Sequence, residues 1–139
     1  MILDNQMSSA LCSALRDGQS IASGNGQAQV EIEHVLLGVP AQEGNVVALL
    51  RDINVDVNYV IRRLERESSM LPRALKEGQA ALGARLEQAL QFGFEQAVSA
   101  GRTYAETLDF VSGICRMPSG NAAVMLRSMN LSVLSIQGA

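Results

Sequence analysis

The chain has little of the side-chain chemistry that enzymes and metal sites use. Its 139 residues include one histidine, His34, one lysine, Lys76, and two cysteines, Cys12 and Cys115, more than a hundred positions apart. A single imidazole and two distant thiols form neither a zinc site nor a disulfide framework. The lysine does not follow a glycine-rich turn of the kind that cradles nucleotide phosphates. We therefore expect no metal, no cofactor and no enzymatic activity in this chain.

Aromatic residues and an excess of positive charge are also lacking. Tryptophan is absent, aromatic residues make up 4% of the sequence, and fourteen acidic against eleven basic residues leave a net charge of −3. Without base-stacking platforms or a phosphate-neutralising stripe, nucleic-acid binding is disfavoured. No apolar run reaches the roughly 18 residues of a membrane-spanning helix, and residues 1–4 lack the basic start of a signal peptide. We expect a cytoplasmic protein that binds neither nucleic acid nor membrane.

Hydrophobic residues are abundant, at 47%, and they recur at helical spacing in nearly every segment. Alternation with period two, which is typical of strands, is almost absent. The sequence therefore predicts an all-α fold. The predicted elements begin with a helix over 8–23 that has Ser8 as its N-cap, a second over 31–39 ended by Pro40, a third over 44–53 and a fourth capped by Asp56.

The helical pattern then repeats along the chain. Residues of the first helix recur 75 positions later, and after a one-residue insertion Gly44-Asn45 returns as Gly120-Asn121 at an offset of 76. This duplication predicts one domain over 1–139 made of two four-helix units, about eight helices in all. Repeat one is predicted over 5–67, the connector over 68–80 and repeat two over 81–139. The matched residues of the first helices are Leu11, Ala14, Leu15, Gly18 and Ala22 with Leu86, Ala89, Leu90, Gly93 and Ala97.

Two details of repeat two also follow from its pattern. Thr103-Tyr104-Ala105-Glu106 has the form of a capping box for its second helix. Its fourth helix is predicted to be short, over 132–137.

Three motifs, in order, resemble those of the Clp N-terminal domain family of ATP-dependent protein unfoldases. Leu11–Gly24 resembles the opening helix of the ClpB domain, and Val30–Leu37 resembles the recurring Ile-x-x-Glu-His-Leu-Leu. Leu50–Asp56 resembles Leu-x-x-x-Gly-Val-Asp, with Asn54 in place of the glycine. The resemblance covers about residues 5–137. It implies a tandem helical repeat that does no chemistry and binds substrates or adaptor proteins for an ATPase ring.

The resemblance also implies where binding occurs. In ClpB-like members an apolar groove between the repeats takes extended peptide segments, and the positions carried over to this chain are Ser8, Leu90, Phe92 and Phe110. Arg102 and Leu108 stand where the family has acidic residues beside the groove. Two alternatives stay open: a ClpV-type domain that recognises one helix of a secretion-system sheath protein, and a free-standing Clp accessory or adaptor protein.

The aromatic residues of repeat two have a second interpretation, because large apolar side chains at helical spacing are usually core residues. Phe92 and Phe94, however, lie two positions apart on one predicted helix and cannot both point inward. We therefore expect one of them to be an exposed anchor for a partner.

Other candidate sites have simpler explanations. A thiol nucleophile made of Cys12 and His34 is less favoured than a buried cysteine and a hydrogen-bonded histidine, because no third orienting group accompanies them. Three further groups have structural readings that we favour over binding: Arg62, Arg63 and Arg66 as a solvated helix face, Gly24-Asn25-Gly26 as a helix stop, and Met117, Met125 and Met129 as gap-filling core residues.

Overall fold

The computed structural model describes residues 4–42, 51, 56–73, 81–118 and 120–128. This part of the chain is mostly helical and confirms the all-α prediction. It contains a short 3-10 helix, Asp4–Gln6, the helices α1 (Ser9–Gly24), α2 (Ile32–Gln42), α3 (Val57–Ser69), α4 (Ala84–Ser99), α5 (Thr107–Cys115) and α6 (Asn121–Ser128), and the two-residue strands β1 (Gln29–Val30) and β2 (Ala81–Leu82).

Some predicted elements lie outside the described residues. These are the helix over 132–137 and the helix over 44–53, of which only Arg51 is described, in a helical conformation. Met129 also lies outside. The α3 helix ends at Ser69, two residues beyond the predicted end of repeat one at residue 67.

The first helix of each repeat packs against the second through a stripe of small and aliphatic residues. In α1 the buried residues are Leu11, Ala14, Gly18 and Ala22, and in α4 they are Leu86, Ala89, Leu90, Gly93 and Ala97. These are the positions at which the sequence repeats, except that Leu15, the counterpart of Leu90, is only half-buried. Buried residues of both halves belong to one continuous hydrophobic core, which includes Val35 of α2 and Phe110 of α5.

The two repeats are joined by reciprocal backbone contacts. Met7 pairs with Ala105 in a parallel bridge, and Val30 pairs with Leu82 in the parallel β1–β2 ladder. At the repeat offset of 75, Met7 is equivalent to Leu82 and Val30 is equivalent to Ala105. Each of the two pairs therefore joins residues equivalent to those of the other pair. The Ser8 N–H donates to the Ala105 carbonyl at 2.8 Å, and the equivalent Gly83 N–H donates to the Val30 carbonyl at 2.8 Å. The repeats are therefore related by an approximate two-fold axis.

The local signals at helix ends are mostly confirmed. The Ser8 hydroxyl accepts a hydrogen bond from the Leu11 N–H at 3.1 Å, and an Asp56 carboxylate oxygen accepts from the Asn58 N–H at 3.0 Å. After α1, Gly26 has a φ of +66°, and the equivalent Gly101 after α4 has a φ of +84°. Both positions need the left-handed backbone that glycine adopts at no steric cost.

Two predictions about helix ends are wrong. The α2 helix continues through Pro40 to Gln42, because the packing of Val35 and Val39 against the core outweighs the single hydrogen bond that a proline cannot donate. The capping box of α5 is not Thr103-to-Glu106. Glu106 is the N-cap residue, and its N–H donates to Asp109 Oδ2 at 2.8 Å, because Ala105 is held in an extended conformation by its bridge to Met7.

Candidate functional site

The second helix of repeat one begins at a buried polar cluster around His34. The Glu31 N–H donates to His34 Nδ1 at 2.9 Å, so the proton of the neutral ring is on Nε2, which donates to Gln27 Oε1 at 2.6 Å. The Gln27 amide in turn donates to the Ser68 carbonyl. Burial lowers the pKa of His34. Because both ring nitrogens are engaged, His34 offers no base for the Cys12 thiol, and the structural interpretation of this histidine is the one that holds.

Repeat two has the same cluster with different chemistry. The offset of 75 converts Gln27 and His34 into Arg102 and Asp109, and the Arg102 guanidinium donates to Asp109 Oδ1 at 2.8 Å and to Oδ2 at 2.5 Å. This hydrogen bonding raises the pKa of Arg102. The Arg102 guanidinium is therefore engaged in an ion pair within repeat two. Leu108, the other residue that stands where the family has an acidic one, is half-buried against the core.

The four predicted binding residues fall into two groups. Leu90 and Phe110 are almost completely buried, at 1% and 0% exposure, so neither presents surface to a partner in this structure. Ser8 and Phe92 are partly exposed. The backbone of Ser8 contacts Ala105, just before α5, whereas the Phe92 ring contacts Arg116, just after α5. The structure therefore does not gather the four residues into one surface patch.

Phe92 and Phe94 are both half-buried on opposite sides of the inward-facing stripe of α4. Two positions on an α-helix are separated by about 200° around its axis. Both side chains pack against the core and remain partly exposed to solvent. The two residues do not both point inward, as predicted, but neither is the exposed anchor that was expected, because both are half-buried.

The duplication provides an internal comparison for these two phenylalanines. The equivalent residues on α1 are Asp17 and Gln19, on a helix with the same packing. The fold therefore does not require an aromatic residue at either position. Val98, which is 52% exposed on α4, is matched by Ser23 in the same way.

Arg116 covers part of the Phe92 ring. Its guanidinium carbon lies 4.7 Å from the ring centroid, a cation–π geometry, and Nη1 lies 3.9 Å from Glu95 Oε2. The Arg116 and Glu95 side chains are 39% and 51% exposed. We name Phe92, Glu95 and Arg116 the Phe92 patch. Arg116 was not among the residues predicted from the sequence, although the repeat places no charged residue at the equivalent position 40 or 41.

A cavity of about 380 Å³ opens where the repeats meet. Its walls combine apolar side chains with the carboxylates of Glu31 and Glu33 and the guanidinium of Arg85. Burial raises the pKa of both glutamates, most directly for Glu33, which is 8% exposed. Because two carboxylates and a guanidinium line it, this cavity differs from the apolar groove between repeats that was predicted. The remaining lining residues are Ile32, Leu71, Gly120, Ala122 and Ala123.

The other candidates occupy structural positions. Met117 and Met125 are buried in the core, Arg63 pairs with Glu67 at 3.2 Å, and Arg62 and Arg66 are solvent-exposed. Burial raises the pKa of the Cys115 thiol to about 11, which keeps it protonated and unreactive at neutral pH. Among the described residues, no three His, Cys, Asp or Glu side chains come together in a metal-binding group.

No helix within the described ranges combines the length and apolar character needed to cross a bilayer.

Comparisons with known proteins agree on one family. The family model for the Clp repeat (R) N-terminal domain matches residues 6–129. Over 101 residues the chain is 34% identical to the chaperone protein ClpB of Rhodopirellula baltica, and the match covers 72% of this chain. The chain spans only 12% of the length of that protein.

Two solved structures have a similar fold. The N-terminal domain of the ClpV1 ATPase from the E. coli EAEC Sci1 T6SS superposes with a TM-score of 0.83 at 20% identity, covering 96% of this chain and 82% of that one. The Hsp104 N-terminal domain from Candida albicans superposes with a TM-score of 0.78 at 12% identity, covering 96% of this chain and 87% of that one. At these identities the likeness concerns the fold alone.

Proposed function

Because the chain belongs to the Clp repeat (R) N-terminal domain family, we propose that it is the recognition domain of a Clp-type ATP-dependent protein unfoldase. It binds an apolar segment of a substrate or adaptor protein and catalyses no reaction itself. It acts in the cytoplasm, where thiols such as those of Cys12 and Cys115 stay reduced.

The observation that supports this proposal is the difference between the two copies at Phe92. Part of an aromatic side chain remains accessible on α4 at a position where α1 carries Asp17. Burying one aromatic ring edge against a partner contributes on the order of 1–2 kcal/mol. Since the fold is built in repeat one without that ring, a role in binding accounts for its presence in repeat two.

Of the four residues carried over from the family, Phe92 is the one that we assign to direct contact. Leu90 belongs to the inward stripe of α4 and Phe110 is buried on α5, and we propose that they hold in place the helix that presents Phe92. Ser8 caps α1 and fixes the join between the repeats through Ala105. Its partly exposed side chain marks a second edge for a longer bound segment.

Affinity for a single segment is expected to be low, because the accessible apolar surface around Phe92 is small. Weak binding is sufficient when several copies of the domain stand together on a ring, since a second contact then becomes intramolecular.

A second candidate is a domain dedicated to one helix of a secretion-system sheath protein. The ClpV1 N-terminal domain, which comes from a type VI secretion system, has a similar fold, so the fold is compatible with this candidate. This candidate predicts one tight partner, whereas a ClpB-like domain binds many unfolded segments weakly.

The test compares two variants that exchange each phenylalanine for the residue of the other repeat: Phe92→Asp and Phe94→Gln. The probe is fluorescein-labelled, reduced and carboxymethylated α-lactalbumin, which stays unfolded, and binding is followed by fluorescence anisotropy. We expect Phe92→Asp to weaken binding at least about tenfold, because it removes the apolar contact and introduces a charge. Phe94→Gln, two residues away on the opposite side of α4, should bind as the unaltered chain does.

Circular dichroism of both variants checks that helicity is retained, as the Asp17 and Gln19 precedents predict. The proposal is contradicted if folded Phe92→Asp binds the probe with unchanged affinity, or if the unaltered chain binds neither this probe nor a sheath-protein helix.

A further inference from the structure

The charges around the Phe92 patch are distributed unevenly along the sequence. The segment from Phe110 to Ala139 contains no aspartate or glutamate, and its only charged residues are Arg116 and Arg127. This segment is therefore positive, although the net charge of the whole chain is −3. Both arginines are exposed and belong to the edge where α5 ends and α6 runs past it. The accessible aromatic ring of α4 therefore borders an edge with two arginines, while the Phe92 patch itself holds one carboxylate, that of Glu95.

The two arginines are held in place by backbone contacts. Arg127 donates to the Met117 carbonyl at 2.7 Å and to the Cys115 carbonyl at 3.4 Å, which fixes its guanidinium beside the end of α5. Arg116 is the C-cap residue of α5 and lies over Phe92. Neither hydrogen bonding to a carbonyl nor stacking on a ring neutralises the positive charge.

Within the described ranges, the only carboxylate that forms an ion pair with Arg116 is that of Glu95. The 3.9 Å separation and the exposure of both side chains make this pair weak, since exposed pairs contribute about 0–1 kcal/mol. A partner carboxylate can therefore compete for the guanidinium at little cost.

The fold does not need this arrangement. The residue equivalent to Glu95 in repeat one is Ser20, the equivalent of Phe92 is Asp17, and the equivalent of Arg116 is Pro40 or Ala41, depending on where the one-residue insertion falls. All three members of the patch thus differ from their counterparts in a repeat with the same packing.

We propose, on the basis of the recognition function above, that the Phe92 patch binds an acidic amphipathic segment of the partner protein. An apolar side chain of the segment packs on the accessible edge of Phe92, and a carboxylate about one helical turn away pairs with Arg116. Arg127 adds a second positive charge along the same edge. The net negative charge of the chain as a whole repels an acidic segment elsewhere, so Arg116 determines both the site and the charge preference.

The test uses three fluorescein-labelled peptides of 14 residues with the same leucines at helical spacing and with Glu, Gln or Lys at the intervening positions. At low ionic strength the Glu peptide should bind about fivefold more tightly than the Gln peptide, and the Lys peptide more weakly still. Raising the salt concentration to about 0.5 M should remove most of this difference. In Arg116→Gln the preference for Glu over Gln should decrease at least about threefold, and in Arg116→Glu the Lys peptide should become the preferred one.

The matched control is Arg62→Glu, which changes the same charge on an exposed residue of α3 and should preserve the order of the three peptides. The inference is overturned if the unaltered chain binds the three peptides equally, or if Arg62→Glu alters the order as much as Arg116→Glu does. Equal binding that Phe92→Asp abolishes would contradict the acidic preference and leave the recognition function standing. If the peptides, unfolded lactalbumin and a sheath-protein helix all fail to bind, the recognition function itself fails.

Discussion

Gly18 and Gly93 determine how closely the first two helices of each repeat approach. A Cβ atom at Gly18 would lie 2.9 Å from the Val35 backbone nitrogen, and one at Gly93 would lie 2.9 Å from the Asp109 carbonyl oxygen. These are backbone atoms of a neighbouring helix, which cannot move away without separating the helices.

We predict that Gly18→Ala lowers the free energy of unfolding by about 1–3 kcal/mol, because the added methyl group forces α1 away from α2. The measurement is urea unfolding followed by circular dichroism. The matched control is Gly24→Ala at the end of the same helix, where a Cβ would meet no atom within 4 Å. The control should be neutral or slightly stabilising, and an equal loss in both variants would contradict the close-approach explanation.

Individual residues were predicted best where their role depends on neighbours in sequence. Ser8 and Asp56 were recognised as N-caps because a cap binds amides only two or three positions away. Thr103 fits the same local rule, but the pairing of Ala105 with Met7, distant in sequence, moves the start of α5 to Thr107. The partial burial of both Phe92 and Phe94 was missed for a related reason. Helical spacing gives the direction of a side chain around the helix axis, but it does not show how much of that side chain the neighbouring helices cover.

The second helix of each repeat begins at a hydrogen-bonded pair of side chains, which we call a clamp. The clamp is a neutral pair in repeat one and an ion pair in repeat two. Gln27 with His34 and Arg102 with Asp109 occupy equivalent positions, and in each case the second residue accepts the N–H of the residue three positions earlier, at 2.9 Å and 2.8 Å. The backbone geometry is therefore compatible with either pair.

We predict that the double variant Gln27→Arg/His34→Asp is closer in stability to the unaltered chain than either single variant. Each single change leaves a charge in the cluster without its partner, and the double change supplies both partners of an ion pair. The coupling free energy from a double-mutant cycle in urea should be about 1–3 kcal/mol. Additive effects would show that the two clamps are not equivalent.

The same double variant removes a pH dependence. Because burial lowers the pKa of His34, the unfolded chain binds a proton that the folded chain does not, below the unfolded value of about 6.5. Stability is therefore complete above that pH and is lost as the pH falls, by at most about 1.4 kcal/mol per pH unit. Glu31 and Glu33, whose pKa values are raised, have the opposite effect at lower pH and are present in both proteins. Between pH 5 and 7.5 the unaltered chain should lose more stability on acidification than the variant.

At the level of the helices, the sequence repeat was the most informative signal. It predicted which helices are equivalent and which residues face inward, because the same helical spacing of apolar residues occurs in both repeats. It did not predict β1 and β2, since two-residue strands are too short to show alternation. Their pairing comes from the approximate two-fold axis, which brings the segments before α2 and α4 side by side.

The molecule as a whole is a symmetric framework with an asymmetric surface. Reciprocal bridges, glycine contacts and clamps are shared by the two repeats, while the accessible aromatic ring and its arginine belong to repeat two alone. Duplication supplied a stable core twice, so the surface of one copy could change without loss of the fold. The charge of the mixed cavity between the repeats, with Glu31, Glu33 and Arg85, makes it a poorer match for an apolar segment.

The most direct measurement is an NMR titration of the ¹⁵N-labelled chain with the Glu peptide. Chemical-shift changes should concentrate at Phe92, Glu95 and the end of α5 from Cys115 to Met117, and the equivalent amides of Asp17 and Ser20 in repeat one should stay unchanged. Changes centred on the Glu31–Arg85 cavity, or equal changes at the matching positions of both repeats, would contradict a recognition site centred on Phe92 in repeat two.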